Sequence, residues 1–210
     1  MKKILVSLLT TTLLFSCGGN SNSDDGSAAD NGKGLIAEKV DYKLLTNETE
    51  VKKVIDGIVA KAGDNISKID KIEIWVTRPS KEGIVRRNNP DYSSITLSYL
   101  NPSDPKKLFE YRYNSEDSKW NAGASKTVKL ILGDVESFIL ADEMYDASAL
   151  TSDMVIEAIK EAWNMYKDDN KYSDQWVKSV TIHKGQIDVS VKGILAANDL
   201  EYTESYKKRI

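Results

Sequence analysis

The sequence predicts an α+β protein in which helices cover one face of an antiparallel sheet. Three observations lead there. Two segments, 51–62 and 155–166, repeat apolar residues at three-to-four spacing, the signature of an amphipathic helix. Four others, 71–77, 95–99, 179–183 and 187–191, alternate apolar and polar residues with the period of a strand. Strand follows strand across short breaks rather than across helices, which makes sequential strands antiparallel neighbours and segregates the helices. From residue 46 onward, the order helix-strand-strand-strand occurs twice.

The 210-residue chain opens on Lys2 and Lys3, followed by an apolar run over 4–15. That run is shorter than the ~20 residues a permanent span needs and fits a signal peptide. Leu14-Phe15-Ser16-Cys17 then resembles the lipobox of bacterial lipoproteins, with a departure at Phe15. The resemblance implies cleavage after residue 16 and lipidation of Cys17, so that acyl chains hold the protein to the membrane. One chain gives only marginal anchoring, and the multiply acylated cysteine of such lipoproteins would suffice. Cys17 is the only cysteine, so no disulfide can form within the chain. Residues 17–34 form the lipidated cysteine and a tether of Gly, Ser, Asn, Asp and Ala with one lysine and nothing to bury. Seventeen such residues reach roughly 20–25 Å. Gly18 is not the aspartate of an inner-membrane retention signal, and Ser23-Asp24-Asp25 resembles the acidic patch of surface-exported lipoproteins. The expected location is the bacterial outer membrane, on either its periplasmic or its cell-surface side.

The folded part divides into a first αβ repeat with extra strands, 35–145, and a second, 146–210. In the first, Asn47 and Glu50 fit an N-cap and its capping-box partner before Val51, Val54, Ile55, Ile58, Val59 and Ala62. Ile72, Ile74 and Val76 share one face of the next strand, and Ile95, Leu97 and Tyr99 one face of the one after. Pro79 to Pro90 reads as a long charged loop, and Asn101-Pro102-Ser103-Asp104-Pro105 as a second break. Phe109 to Tyr113 completes the set. One or two further strands are expected at 127–132 and 135–140, around Gly133-Asp134. In the second repeat, Thr151, Ser152 and Asp153 precede a helical stripe of Val155, Ile156, Ile159, Ala162, Trp163 and Tyr166. Strands at 179–183 and 187–191 are joined by Lys184-Gly185, a tight hairpin signal. A last strand covers 201–206. First strands align at an offset of 108, second strands at 92, Leu108 on Leu200 at 92, and helices at 101. Trp163 and Trp176 are expected in the core.

Phe109-Glu110-Tyr111-Arg112-Tyr113, an acidic turn and Trp120, set in this repeated order, resemble the PepSY-like family of envelope proteins. These are similar in build to the proteinaceous β-lactamase inhibitors, which join two helix-plus-sheet units into one extended sheet. The second repeat lacks the tryptophan after Tyr206. The resemblance covers 46–206 and implies no catalytic residues and no cofactor.

The chain carries 29 basic and 32 acidic residues; losing Lys2 and Lys3 with the leader leaves 27 against 32, a net charge of −5. A mildly acidic chain without a long basic block argues against nucleic acid as a partner. His183 is the only histidine, with no companion His or Cys for zinc and no nucleophile motif nearby. Asp168-Asp169-Asn170 with Asp174 lacks the glycine and closing glutamate of a calcium loop. Glu136, Asp142, Glu143 and Asp146 could serve glycoside cleavage only across a cleft of defined width. No metal site and no enzyme activity are expected. Strand alternation instead gathers Glu73, Trp75, Thr77, Thr96, Ser98, His183, Asp188, Ser190 and Lys192 on the face opposite the helices. A polar face around one tryptophan suits a binding surface, because tryptophan is enriched at binding hot spots. The expected partner is an envelope protein or peptide, with the chain acting as inhibitor or accessory factor; a glycan is the alternative.

Overall fold

A computed structural model describes residues 41–78, 92–115, 118–128 and 138–210. The leader, Cys17, the tether, the 79–90 loop and Glu136 lie outside the described residues. A short 3-10 turn, Leu44–Thr46, buries Leu44 and Leu45 and delivers the chain into helix α1, Glu48–Ala62. The Asn47 side chain caps α1 by accepting from the N–H groups of Thr49 and Glu50 at 3.1 and 3.4 Å. The reciprocal half of the capping box does not form. The Asn47 N–H already donates to the Leu44 carbonyl at 3.0 Å. One Glu50 carboxylate oxygen is left buried without a partner among the described residues. At its other end α1 stops on Gly63, whose φ of 53° few side chains tolerate. Helix α2, Ser152–Tyr166, is capped by the Thr151 hydroxyl, which accepts from the Met154 N–H at 3.3 Å. Gln175 closes its far end, donating to the Tyr166 carbonyl at 3.0 Å and accepting from the Asp168 N–H at 2.8 Å. Both helices have fifteen residues, and their starts lie 104 residues apart.

Among the described residues, eight strands form one antiparallel sheet: β1 (Ile69–Thr77), β2 (Tyr92–Leu100), β3 (Lys107–Asn114), β4 (Lys119–Trp120), β5 (Ala124–Thr127), β6 (Tyr172–His183), β7 (Gln186–Leu195) and β8 (Glu201–Arg209). Their order is β4-β3-β2-β1-β6-β7-β8, with β5 also on β3, so β1 and β6 join the two halves at the centre. Ile72, Ile74, Val76, Ile95, Leu97, Val180, Ile182, Ile187, Val189 and Val191 are buried in one cluster with Val54, Ile55, Ile58, Val155, Ala158 and Ile159 of the helices. The apolar stripes of both helices therefore meet the aliphatic side of the sheet.

The hairpin at Lys184-Gly185 forms with φ of 46° and 69°, the doubly positive pattern that matches strand twist. Strand β6 begins at Tyr172, seven residues before the alternation became visible. Leu140 opens a 3-10 turn, Leu140–Glu143, instead of ending a strand, and residues 129–137 lie outside the described set. Ser98 of β2 pairs with Glu110 of β3, and Ser190 of β7 with Ser205 of β8.

The aromatic run of β3 lies on the helix side. Tyr113 is fully buried and pairs with Trp120 across β3 and β4, with ring centroids 5.6 Å apart. Lys61 of α1 holds its ammonium 4.2 Å from the Tyr111 ring. That motif therefore extends the core past the end of α1. Gly193 is needed for a close approach: a Cβ there would lie 2.5 to 2.8 Å from three ring atoms of Tyr172, including the nearly immovable Cγ. Gly193→Ala should destabilise the protein by about 1–3 kcal/mol, as other overpacking changes do. A chemical-denaturation midpoint equal to that of the parent would contradict this packing.

Candidate functional site

Trp75 sits in the middle of β1, opposite Ser94 of β2 and Ser179 of β6. Strand alternation turns it away from Ile74 and Val76, and its short neighbours leave it 36% exposed. Glu73 faces Thr96 and Thr181 in register. Trp75 thus lies two residues to one side of the Glu73–Thr181 pair and His183 two residues to the other. They are separated by about 13 Å along the strands at ~3.3 Å per residue.

The rest of this face is polar and largely paired with itself. Lys71 bonds Glu73 at 3.2 Å, and Lys192 pairs with Glu201. His183 Nε2 lies 3.2 Å from Asp188 Oδ2, and Asp188 also accepts from Gln186. Toward β3, Arg112 and Lys126 both bond Glu110. Burial works against the Glu110 carboxylate, but the two cationic donors outweigh it and hold it below the usual carboxylate range. Thr77, Thr96 and Ser190 are partly exposed, while Ser98, between Lys71 and Glu110 in register, is only 2% exposed.

A bulge in β6 adds what sequence reasoning missed. The register shifts between Val177 and Ser179, so Lys178 has no partner on β7 and the parity of the preceding residues reverses. Lys178 swings over Trp75 with its ammonium 4.2 Å from the ring centroid. Burial, with the nearby charge of Lys192 adding to it, pushes the Lys178 ammonium below the usual lysine range. The same bulge pairs Trp176 with Lys192 and places it on the helix-free side. Trp176 is buried as expected, at 2% exposure, but on the face opposite to the core. Its ring meets Tyr42 edge-on at 5.6 Å and lies 5.7 Å from the Arg78 guanidinium. Asp174 anchors this corner, accepting from Tyr42 at 2.9 Å and pairing with Arg78 at 3.2 Å. The hint for Lys178 was a charged side chain at a position whose parity pointed inward.

Three of the other acidic candidates have partners. Glu143 pairs with Lys184, and the Ser148 hydroxyl, together with the Ser148 N–H donating at 2.8 Å, holds the Asp146 carboxyl below the usual range. Asp168 accepts from the N–H groups of Asn170 and Lys171, a local turn. Among the described residues, no three His, Cys, Asp or Glu side chains converge as metal ligands, and no helix is long and apolar enough to cross a membrane. On the helix side, Trp163 is half-buried rather than core and lines a groove with Leu45, Val51, Ile156 and Ile159. No protein-family model matches the chain, and no curated protein or solved structure does either.

Proposed function

We propose that this chain is an outer-membrane lipoprotein, anchored through Cys17, that binds a protein or peptide on the helix-free face of its sheet without chemistry, as an inhibitor or accessory factor. The observation that carries this reading is the exposed Trp75, set among short hydroxyl side chains and held under Lys178 at the centre of a broad polar sheet. An aromatic and a cation in a polar surround is the composition of an interface hot spot. The test is capture of envelope proteins on the full chain. Ser190→Trp, which plants a bulky ring on the face, should abolish capture, whereas Asp153→Arg on α2 should leave it intact. Equal capture by both variants would move the binding surface elsewhere. The exposed ring between Ser94 and Ser179 also suits a sugar, and a glycan array read with the same variants separates that alternative.

The lipoprotein reading predicts that Cys17→Ser leaves the protein uncut and outside the outer-membrane fraction. Sedimentation of that variant with the outer membrane would contradict it.

We also propose that the sheet is built from two copies of one helix-strand-strand-strand unit, in the manner of the PepSY-like proteins. The support is the register. Ile72 pairs with Leu97 and Ile74 with Ile95, as Val180 pairs with Val189 and Ile182 with Ile187. The first strands of the two halves both shift register, at Asp70 and at Lys178, positions 108 apart.

A further inference from the structure

We infer that the partner places an acidic side chain, an Asp or Glu of a polypeptide, against Lys178 beside the Trp75 ring. This rests on the binding-face reading above and names the chemistry that the face recognises. Charge complementarity points to that acid. The four central strands, β2, β1, β6 and β7, carry three lysines. Lys71 has Glu73 and Lys192 has Glu201, but among the described residues Lys178 has no carboxylate at ion-pairing distance. The acidic charge that acts on it, Glu201, is already engaged by Lys192.

Lys178 is also fixed rather than free. The bulge projects it onto the Trp75 ring, 4.2 Å from the centroid, where the π-face holds the ammonium in place. Partial burial and the Lys192 charge both disfavour its charged form in the isolated protein. An incoming carboxylate reverses that imbalance, and the ordering of the lysine side chain has already been met. Docking a carboxylate here would also cover Trp75, joining a charged contact to apolar burial. A polypeptide fits better than a sugar because one π-face that ring stacking would use is occupied by the ammonium.

The experiment selects binders from a random-peptide display library on the immobilised full chain. Selected peptides should be enriched in Asp and Glu, and Lys178→Glu should weaken them by at least about tenfold, within the range measured for interfacial charge pairs. Lys178→Arg should retain binding within a few-fold, because a guanidinium keeps both the charge and the stacking. If Lys178→Glu lowers the melting temperature, Lys178→Gln is read in its place. No enrichment of acidic sequences, or acidic peptides indifferent to Lys178→Glu, overturns the inference. So does an oligogalacturonate that binds with Lys178 dependence where acidic peptides do not. Trp75→Ala tells the two failures apart. Peptides that ignore Lys178 but need Trp75 leave the binding face standing, whereas peptides that ignore both remove it as well.

Discussion

Ile58→Ala is expected to destabilise the protein by about 2–5 kcal/mol, the cost of a large-to-small change at a packed core position. Ile58 is completely buried, on the face of α1 that meets the sheet. The loss has two parts: the transfer free energy of the removed methyl and methylene groups, and a cavity that close-packed neighbours cannot fully close. Against a total stability of about 5–15 kcal/mol for a domain of this kind, that is a large fraction. Ile159→Ala on α2 should fall at the lower end, because Ile159 borders the groove beside Trp163 and its cavity would open to solvent. One cluster of buried residues runs through both helices and both halves of the sheet. Either variant should therefore lower a single unfolding transition. Urea denaturation followed by far-UV circular dichroism and by tryptophan fluorescence checks this. Two separate transitions, with each variant moving only one, would show that the halves fold independently.

Trp75→Ala is expected to weaken partner binding by about 2 kcal/mol or more, roughly thirtyfold, while barely changing the fold. Tryptophan contributes a large apolar surface that an interface can bury, and here it also positions the Lys178 ammonium. Its loss costs the free protein only a partly exposed ring and one cation–π contact, about 1 kcal/mol. His183→Ala should have a smaller effect of the same kind. It sits at the hairpin end, where its polar contact is with Asp188 of the same surface. Titration of each variant against captured partner, beside its denaturation curve, separates binding from stability. A loss of several kcal/mol in stability from Trp75→Ala would place the ring in the core and remove the main support for the face.

Much of this architecture was legible because it depends on local chemistry. The stripe over Val51, Val54, Ile55 and Ile58 could bury only as a helix, and Asn47 could cap it. Lys184-Gly185 marked a hairpin because it is a two-residue break between alternating strands and its glycine accepts a positive φ. Period-two alternation placed Trp75 opposite Ile74 and Val76 without any tertiary information. Where the reading slipped, the cause was equally local. The start of β6 was missed because Trp176 and Val177 adjoin without alternating.

By itself, then, the sequence determined the α+β class, the two helices with their buried faces, the tight hairpin and the side of the sheet that bears Trp75. Tertiary structure decided three other things. It joined the halves through β1 and β6, it put Trp176 on the face away from the core, and it brought Lys178 over Trp75. The physical reason is that facing along one strand follows from a two-residue period, whereas a bulge is defined only by two residues meeting one on a neighbouring strand. Lys178 sits at such a point, so its direction is a property of the pair β6 and β7 and not of β6 alone.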